Sequence, residues 1–445
     1  MSPLLCVLFA IAFPNQADLR LTGATRTDQA GWIYLHLQGK PRDVGFQYGS
    51  LAANEIDDAH KALLLSFGKE PYDWNWCRRT AKELFWSKLD PEYQDEILGQ
   101  AEGLKAKGLL YDEWDVLAYN AYIELKDYYI PYLNSKKPGG ARLGTTRESC
   151  SAFIATGGTT KDGKIVMGHN LWWDYLMGQR CNVLLDITPE KGNRVLMDAF
   201  CGFIHSGSDF AVNSAGIVLC ETTISGFAGF DPSGIPEFMR MRKAIQYANN
   251  LDDMNSIFTK GNNGGYANTW LMGDTKTNEI GKLELGLKNV EFERKKDGFF
   301  VGSNFPESPK LIAEEVPGGW NADPQVNGCE RRRIRWNSLL TQNKGKVDTD
   351  LAKQFLADTY DEVLDKHGAT DSTLCGVSPF SGAVNTKVID GTMAASLQLW
   401  AKMGISDGST FSAKEFLAGH DGFSGMKPYL RDIPNQPWVE LPPKS

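Results

Sequence analysis

The residues from Glu148 to Asp174, ESCSAFIATGGTTKDGKIVMGHNLWWD, constrain the fold of this chain more than any other stretch. An apolar run through Ala152 to Ala155 reaches Gly157-Gly158, and after Asp162-Gly163 a second run resumes at Ile165-Val166-Met167. Two such runs joined by a glycine-containing turn read as a β-hairpin. With the loop centred near Thr160-Lys161, residues whose numbers sum to roughly 321 face each other, because hairpin register follows from the turn. Cys150 then lies opposite the segment from His169 to Trp172. A thiol at the head of a strand is set beside an imidazole, a carboxamide and two indoles.

At 445 residues, with 42% hydrophobic and 23% charged residues, the chain is long enough to bury a sizeable core. Its formal net charge of -8 gives no basic footprint for nucleic acid or an anionic membrane, so neither is expected as a partner. The apolar run Pro3 to Phe13 is too short to span a bilayer and suits the core of a secretion signal ending near Ala17. Residues 1–17 are therefore read as a signal peptide, the chain as exported, and no stable membrane insertion is expected. The absence of any Asn-x-Ser/Thr sequon favours an exported bacterial protein. The cysteines show no CxxC or other metal-ligand spacing, and no metal or cofactor is expected. No HExxH, Walker A or strand-borne GxGxxG motif is present.

Residues 18–149 read as a helical N-terminal chain closed by a linker. Val44, Tyr48, Ile56, Ala59 and Leu63 recur at helical spacing, with Gly68 as a stop. Asp90-Pro91-Glu92 opens a second helix that ends at Gly108, and a third spans Asp112 to about Tyr128. From Asn134 to Ser149 the chain is polar, Gly-rich and aperiodic, an exposed and nickable linker. Residues 150–445 read as the catalytic chain, with strands at 151–156, 165–172, 182–188, 194–200, 210–213, 216–223, 268–274, 279–285, 289–294 and 299–303. Helical patterns fall at 236–248, 330–340 and 351–360. Hairpin-linked strands alternating with helix pairs imply an α+β layered fold with antiparallel sheets.

On residue type alone, Cys150 would be a small apolar residue opening a buried strand. The linker before it opens a second reading. A cut between Ser149 and Cys150 creates an α-amino group of pKa about 7.7–8.0, which can act as base for its own thiol.

Cys150-Ser-Ala-Phe-Ile followed by Gly168-His169-Asn170-Leu171-Trp172 resembles the nucleophile hairpin of the phospholipase B-like proteins. Those proteins stand among the N-terminal-nucleophile (Ntn) hydrolases with the penicillin acyltransferase-like group. Asn213-Ser-Ala-Gly-Ile, Glu221-Thr-Thr, Tyr266-Ala-Asn-Thr-Trp270 and Ser381 to Asp390 follow in the matching order, and Gly39 to Gly49 is similar to the opening of the acyltransferase-like group. The resemblance implies a four-layer αββα sandwich and a precursor that cleaves itself before Cys150. It gives Cys150 the nucleophile's role and His169 and Asn170 supporting roles beside it. Asn268 and Thr223 match the oxyanion contributors, and Arg335 the arginine of a late helix near the nucleophile. Trp172 stands where the wider superfamily has an Asp, leaving Asp174 or Glu221 as substitute acids. Trp172, Trp173 and Glu221 are candidates for the acyl pocket.

Three readings follow. The first is a self-processing lipid acyl hydrolase of the phospholipase B-like kind, acting on a small-molecule or lipid acyl substrate. The second is an amidase or acyltransferase on small N-acyl compounds or peptides. The third is an exported binding protein that keeps the fold with Cys150 uncut.

Overall fold

The computed structural model describes residues 18–67, 70–144, 150–207 and 210–443. The expected signal segment at 1–17, the helix stop at Gly68 and the cleavage residue Ser149 lie outside these residues. Two strands, Thr25–Gln29 (β1) and Trp32–Gly39 (β2), open the described chain. The hairpin read from the sequence follows as Ser151–Thr156 (β3) and Val166–Asp174 (β4), with Ser151 opposite Asn170 and Ala152 opposite His169. That is the expected register.

The strands Val183–Pro189 (β5), Val195–Ala199 (β6), Phe210–Asn213 (β7), Ile217–Thr223 (β8), Asn268–Asp274 (β9), Glu279–Leu285 (β10), Val290–Lys295 (β11) and Gly298–Gly302 (β12) match the sequence reading to within two residues at each end. Beyond them lie a short ribbon, Tyr360–Asp361 (β13) with Lys366–His367 (β14), and the strands Ser381–Asp390 (β15), Leu399–Met403 (β16) and Val439–Leu441 (β17). Among the described residues, nine strands form one sheet in the order β1-β2-β5-β6-β7-β8-β9-β10-β11. Six form a second in the order β12-β3-β4-β15-β16-β17. All neighbours are antiparallel except β2 and β5, where Ile33 lies opposite Val183 in a parallel pair.

Strand alternation sorts the side chains into layers. On β3, Ala152 and Ile154 enter a core between the sheets, which they share with Leu184 of β5, Phe210 of β7 and Cys220 of β8. Phe153 and Ala155 face the other way, against the helices Gly328–Gln342 (below, α12) and Thr349–Leu356 (α13), through Trp336, Leu340 and Phe355. The nine-stranded sheet packs its outer face on the N-terminal helices and on Glu237–Tyr247 (α9) and Leu251–Thr259 (α10). The layers are helices, sheet, sheet, helices: the expected αββα sandwich.

The N-terminal helices are Pro41–Leu51 (α1), Ala53–Leu64 (α2), Trp74–Phe85 (α3), Pro91–Ala106 (α4) and Glu113–Asn120 (α5), then the short turn Tyr122–Glu124 (α6), a π-helical turn Leu125–Tyr129 and Ile130–Ser135 (α7). The first expected helix is broken at Ala52, whose backbone leaves the helical region. Asp90 stands at the N-cap of α4 without a capping bond, its carboxylate pairing instead with Lys243 at 2.6 Å. Helices α1 and α4 touch backbone to backbone. A Cβ on Gly45 would collide with the carbonyl of Glu96, one on Gly49 with that of Gln100, and one on Gly103 with that of Phe46. Tyr175–Gly178 (α8) and Pro309–Glu315 (α11) complete the numbered helices up to α13.

Candidate active site

β3 begins where β8 ends, β9 starts and β12 finishes, so the site is assembled at one end of both sheets. Cys150 is fully buried there and carries a φ of 147°, a conformation that an L-residue with a side chain adopts only under constraint. Its carbonyl oxygen accepts a hydrogen bond from Arg332 of α12 at 2.6 Å. The same guanidinium reaches the Ser151 hydroxyl at 3.3 Å and donates through both terminal nitrogens to Asn304 Oδ1 at 3.1 Å. Its face rests on the Trp172 ring, 4.7 Å from the centroid. Asn304 in turn donates to the carbonyl of Thr223 at 2.9 Å. Arg332 thus ties the head of β3, the end of β8 and Asn304, two residues past β12, into one network with no exposed member.

A second network lies beside the first. The Thr223 hydroxyl donates to Tyr266 at 3.1 Å, and Tyr266 donates to Glu221 Oε1 at 3.0 Å. With its nitrogen turned toward Glu221, the Asn268 amide donates to Oε2 at 2.8 Å and to the Ala267 carbonyl at 3.0 Å, the orientation that satisfies all the groups. The π-helical turn presents Tyr128, whose hydroxyl accepts the Ala267 N–H at 3.2 Å. Beneath this network are two further buried carboxyls, Glu124 and Glu237. Glu124 accepts from Asn263 at 2.5 Å and from the Phe238 N–H at the start of α9 at 3.3 Å. Burial raises the Glu124 carboxyl to about 7, and burial together with the charge of Glu124 raises Glu237 well above the carboxylate range.

His169 is fully buried, and burial followed by the positive charge of Lys387 depresses its pKa well below that of an ordinary histidine, against a smaller opposing contribution from the Glu221 backbone. Asn170, the next residue on β4, points to the opposite face. It donates to the carbonyls of Leu356 at 2.8 Å and Leu374 at 2.9 Å and accepts from Thr386 at 2.7 Å. Its carboxamide is therefore not brought to the thiol.

Trp172 and Trp173 also part company, because neighbouring strand residues face opposite ways. Trp172 lies on Arg332, while Trp173 packs edge-on against Phe200 with centroids 4.7 Å apart, in the core under the nine-stranded sheet. They do not line one pocket, and Glu221 is occupied by Tyr266 and Asn268. Arg335 is turned away, bonded to Asp358 at 2.7 Å and to Glu362 at 3.3 Å. Arg332 holds the place beside Cys150 that was expected of Arg335. The signal was available: Cys329, Arg332, Trp336, Leu339 and Leu340 share the buried stripe of α12. Asn304 and Tyr128 had no comparable signal.

A cleft of about 640 Å³ opens next to Tyr128, lined also by Asp127, Tyr132, Phe227 and Phe230. Arg142 and Leu143 of the linker form part of its wall, Arg142 donating to the Glu314 carbonyl at 2.9 Å. Among the described residues, no cluster of three or more His, Cys, Asp or Glu side chains is arranged to hold a metal, and no helix is long and apolar enough to cross a membrane.

Two stacked sheets, helices on both outer faces and a cysteine heading an inner strand define the Ntn-hydrolase fold. The chain belongs to the phospholipase B family, whose sequence model matches residues 51–329. It is 25% identical over 425 residues to phospholipase B-like 1 of Homo sapiens, covering 81% of this chain and 74% of that protein. To phospholipase B-like 1 of Bos taurus it is 26% identical over 265 residues, or 52% of this chain and 48% of that one. An uncharacterized protein of Archaeoglobus fulgidus is 24% identical over 321 residues, 65% of this chain and 50% of the other. The chain thus spans about half the length of the first two of these curated relatives by similarity, those of Archaeoglobus and Bos taurus. Solved structures with a loose likeness include a conjugated bile acid hydrolase from Clostridium perfringens (TM-score 0.35, 11% identity, 57% of this chain and 89% of that one) and penicillin V acylase from Agrobacterium tumefaciens (TM-score 0.35, 9% identity, 57% and 83%).

Proposed function

We propose that this chain is an exported, self-processing hydrolase that uses Cys150, once it is N-terminal, to cleave acyl ester or amide bonds, with lipid acyl groups as the favoured substrate class. The observation that supports this reading most is the treatment of Cys150. Its backbone is held at a φ of 147° while Arg332 grips its carbonyl, so the residue carrying the sulfur is held on its C-terminal side by a buried cation.

In the processing step the Cys150 sulfur attacks the carbonyl carbon of Ser149. The Ser149–Cys150 C–N bond breaks, the leaving nitrogen takes the thiol proton, and water hydrolyses the resulting thioester. In turnover the freed α-amino group accepts the thiol proton, the sulfur takes the acyl group, and the alcohol or amine leaves with that proton before water releases the acid. Asn268 and Thr223 would serve as oxyanion donors only after releasing their partners Glu221, Ala267 and Tyr266.

The cleft beside Tyr128 is the substrate entrance in this reading, with Phe227, Phe230 and Tyr132 for the acyl chain. The linker residues Arg142 and Leu143 occupy its wall in the uncut chain. The test is N-terminal sequencing and intact mass of the purified protein beside Cys150→Ala. A fragment beginning Cys150-Ser151-Ala152-Phe153 from the wild type alone supports the reading. A wild-type chain that stays whole at neutral and acidic pH sinks it. Acyl release from phospholipid micelles against release from N-acyl amino acids then separates ester from amide chemistry.

A further inference from the structure

Between the two sheets, behind His169, is a charge pair that the proposed chemistry does not use. Lys387 of β15 and Asp198 of β6 are both fully buried, with Nζ 2.6 Å from Oδ2. Lys387 also donates to Asn385 Oδ1 at 2.6 Å, and Asp198 Oδ1 accepts from the Ser206 hydroxyl at 2.9 Å and the Phe210 N–H at 3.2 Å. Lys387 is the cross-strand neighbour of His169, and both pack on Phe210, whose centroid is 5.7 Å from the ammonium and 6.3 Å from the imidazole. A buried ion pair costs much of its Coulomb gain in desolvation, and an apolar pair of like volume would tie two sheets together as well or better. Its place against one particular imidazole is what asks for a role.

We propose that Lys387 and Asp198 are positioning residues that fix the charge state and orientation of His169 beside Cys150, an assignment that rests on the hydrolase reading above. The groups around His169 are Lys387 opposite it on β15, Asp198 beyond that on β6, the Glu221 backbone from β8, and on β3 its cross-strand partner Ala152, two residues along from Cys150. The ammonium repels a second positive charge, and Asp198 anchors it so that it does so from a fixed point. Burial does the larger part and the ammonium adds to it, so His169 stays neutral in acid, where an exposed histidine is a cation. A neutral ring can accept or donate a hydrogen bond at the nucleophile over a wide pH range without carrying a charge into a closed core.

The test is the titration of the His169 ring by NMR in histidine-labelled full-length protein, assigned with His169→Gln among the six histidines. In the wild type the ring keeps neutral-imidazole shifts from about pH 7 down to about pH 4.5, where an ordinary histidine titrates near 6.5. In the double variant Lys387→Met with Asp198→Asn, which leaves no uncompensated charge, burial still holds the ring down but its titration midpoint moves up. If its midpoint rises to one unit above the assay pH, about nine-tenths of the neutral form is lost, so cleavage before Cys150 falls about tenfold at low pH and little at pH near 7. A wild-type His169 that titrates like an exposed histidine overturns the assignment, and that measurement needs no variant to fold. Equal loss of cleavage at every pH with unchanged ring shifts also overturns it, leaving a tie between sheets. If the wild type neither cuts itself nor hydrolyses an acyl substrate, the hydrolase reading falls while the ring titration still decides what Lys387 does to His169.

Discussion

The guanidinium of Arg332 donates to the carbonyl oxygen of Cys150 at 2.6 Å, although 182 positions separate the two residues in sequence. This bond fixes the residue whose sulfur, in the proposed processing, reaches the preceding carbonyl. Lysine offers no planar fork to serve Cys150 and Asn304 together, so Arg332→Lys should slow cleavage before Cys150 by about tenfold or more. Arg335→Lys, on the salt-bridged side of the helix, should stay within about threefold. Timed gel analysis of freshly made protein measures both, and equal rates for Arg332→Lys and the wild type would count against the role given to Arg332.

The carboxyl of Glu124 gives a pH dependence with a defined sign. Its folded pKa is about 7 against an ordinary value of 4.5. Below about 4.5 folded and unfolded chains both keep the proton; between about 4.5 and 7 only the unfolded chain gives it up, so stability is lost as pH rises through that window. At about 1.4 kcal/mol per unit the loss is on the order of 3 kcal/mol. Urea unfolding across this range should show the wild type losing stability by that order relative to Glu124→Gln as pH rises toward neutral. A difference that does not change with pH would remove Glu124 as the cause.

Glycine at the α1–α4 contact is a requirement of backbone approach. Gly49→Leu or Gly103→Leu places a side chain where the partner's carbonyl oxygen stands. Overpacking of this kind costs about 1–3 kcal/mol or more, since neither helix can move without opening the core beneath it. Thermal unfolding should show a clearly lowered midpoint for each variant. A surface control such as Gly108→Ala, where a Cβ would meet nothing, tests only the cost of its positive φ.

Gly376→Ala should disturb the site from behind. A Cβ there would overlap the six-membered ring of Trp172, which in turn supports Arg332. The indole must shift, so cleavage should slow while the fold persists, and Trp172→Phe in the same background should restore part of the rate by freeing space. No change in rate on Gly376→Ala would mean that the stack on Arg332 is dispensable.

The layered core was legible in the sequence because its strands alternate between two different apolar surroundings. Ser151 to Thr156 and Ile217 to Thr223 carry small and β-branched residues with turn residues at their ends, and their register followed from turn position. The β1–β2 hairpin was missed because its turn is Ala30-Gly31, both with positive φ, and alanine is not a turn signal at such a position. Helix α3, absent from the sequence reading, did carry a signal: Cys77, Ala81 and Phe85 recur every four residues behind the N-cap Asp73. Within the site, the roles that failed to converge on the thiol, those of Asn170 and Arg335, depend on which way a side chain faces. Family position does not carry that information for Asn170; for Arg335 the helix stripe did. Lys387 and Asp198 meet only because β15 and β6 stack from different sheets, a fact that no local pattern records.

The parallel pairing of β2 with β5 brings a segment from before the linker into the same sheet as seven strands from after it. A chain cut ahead of Cys150 would be two polypeptides sharing one sheet, and each alone would leave an open edge and an uncovered apolar face. The uncut chain refolds as a first-order process, whereas the cut form would have to find its other half in solution, at a rate that depends on concentration. Processing would then be a one-way step in assembly, and the persistence of the mature form would be set by how slowly it opens.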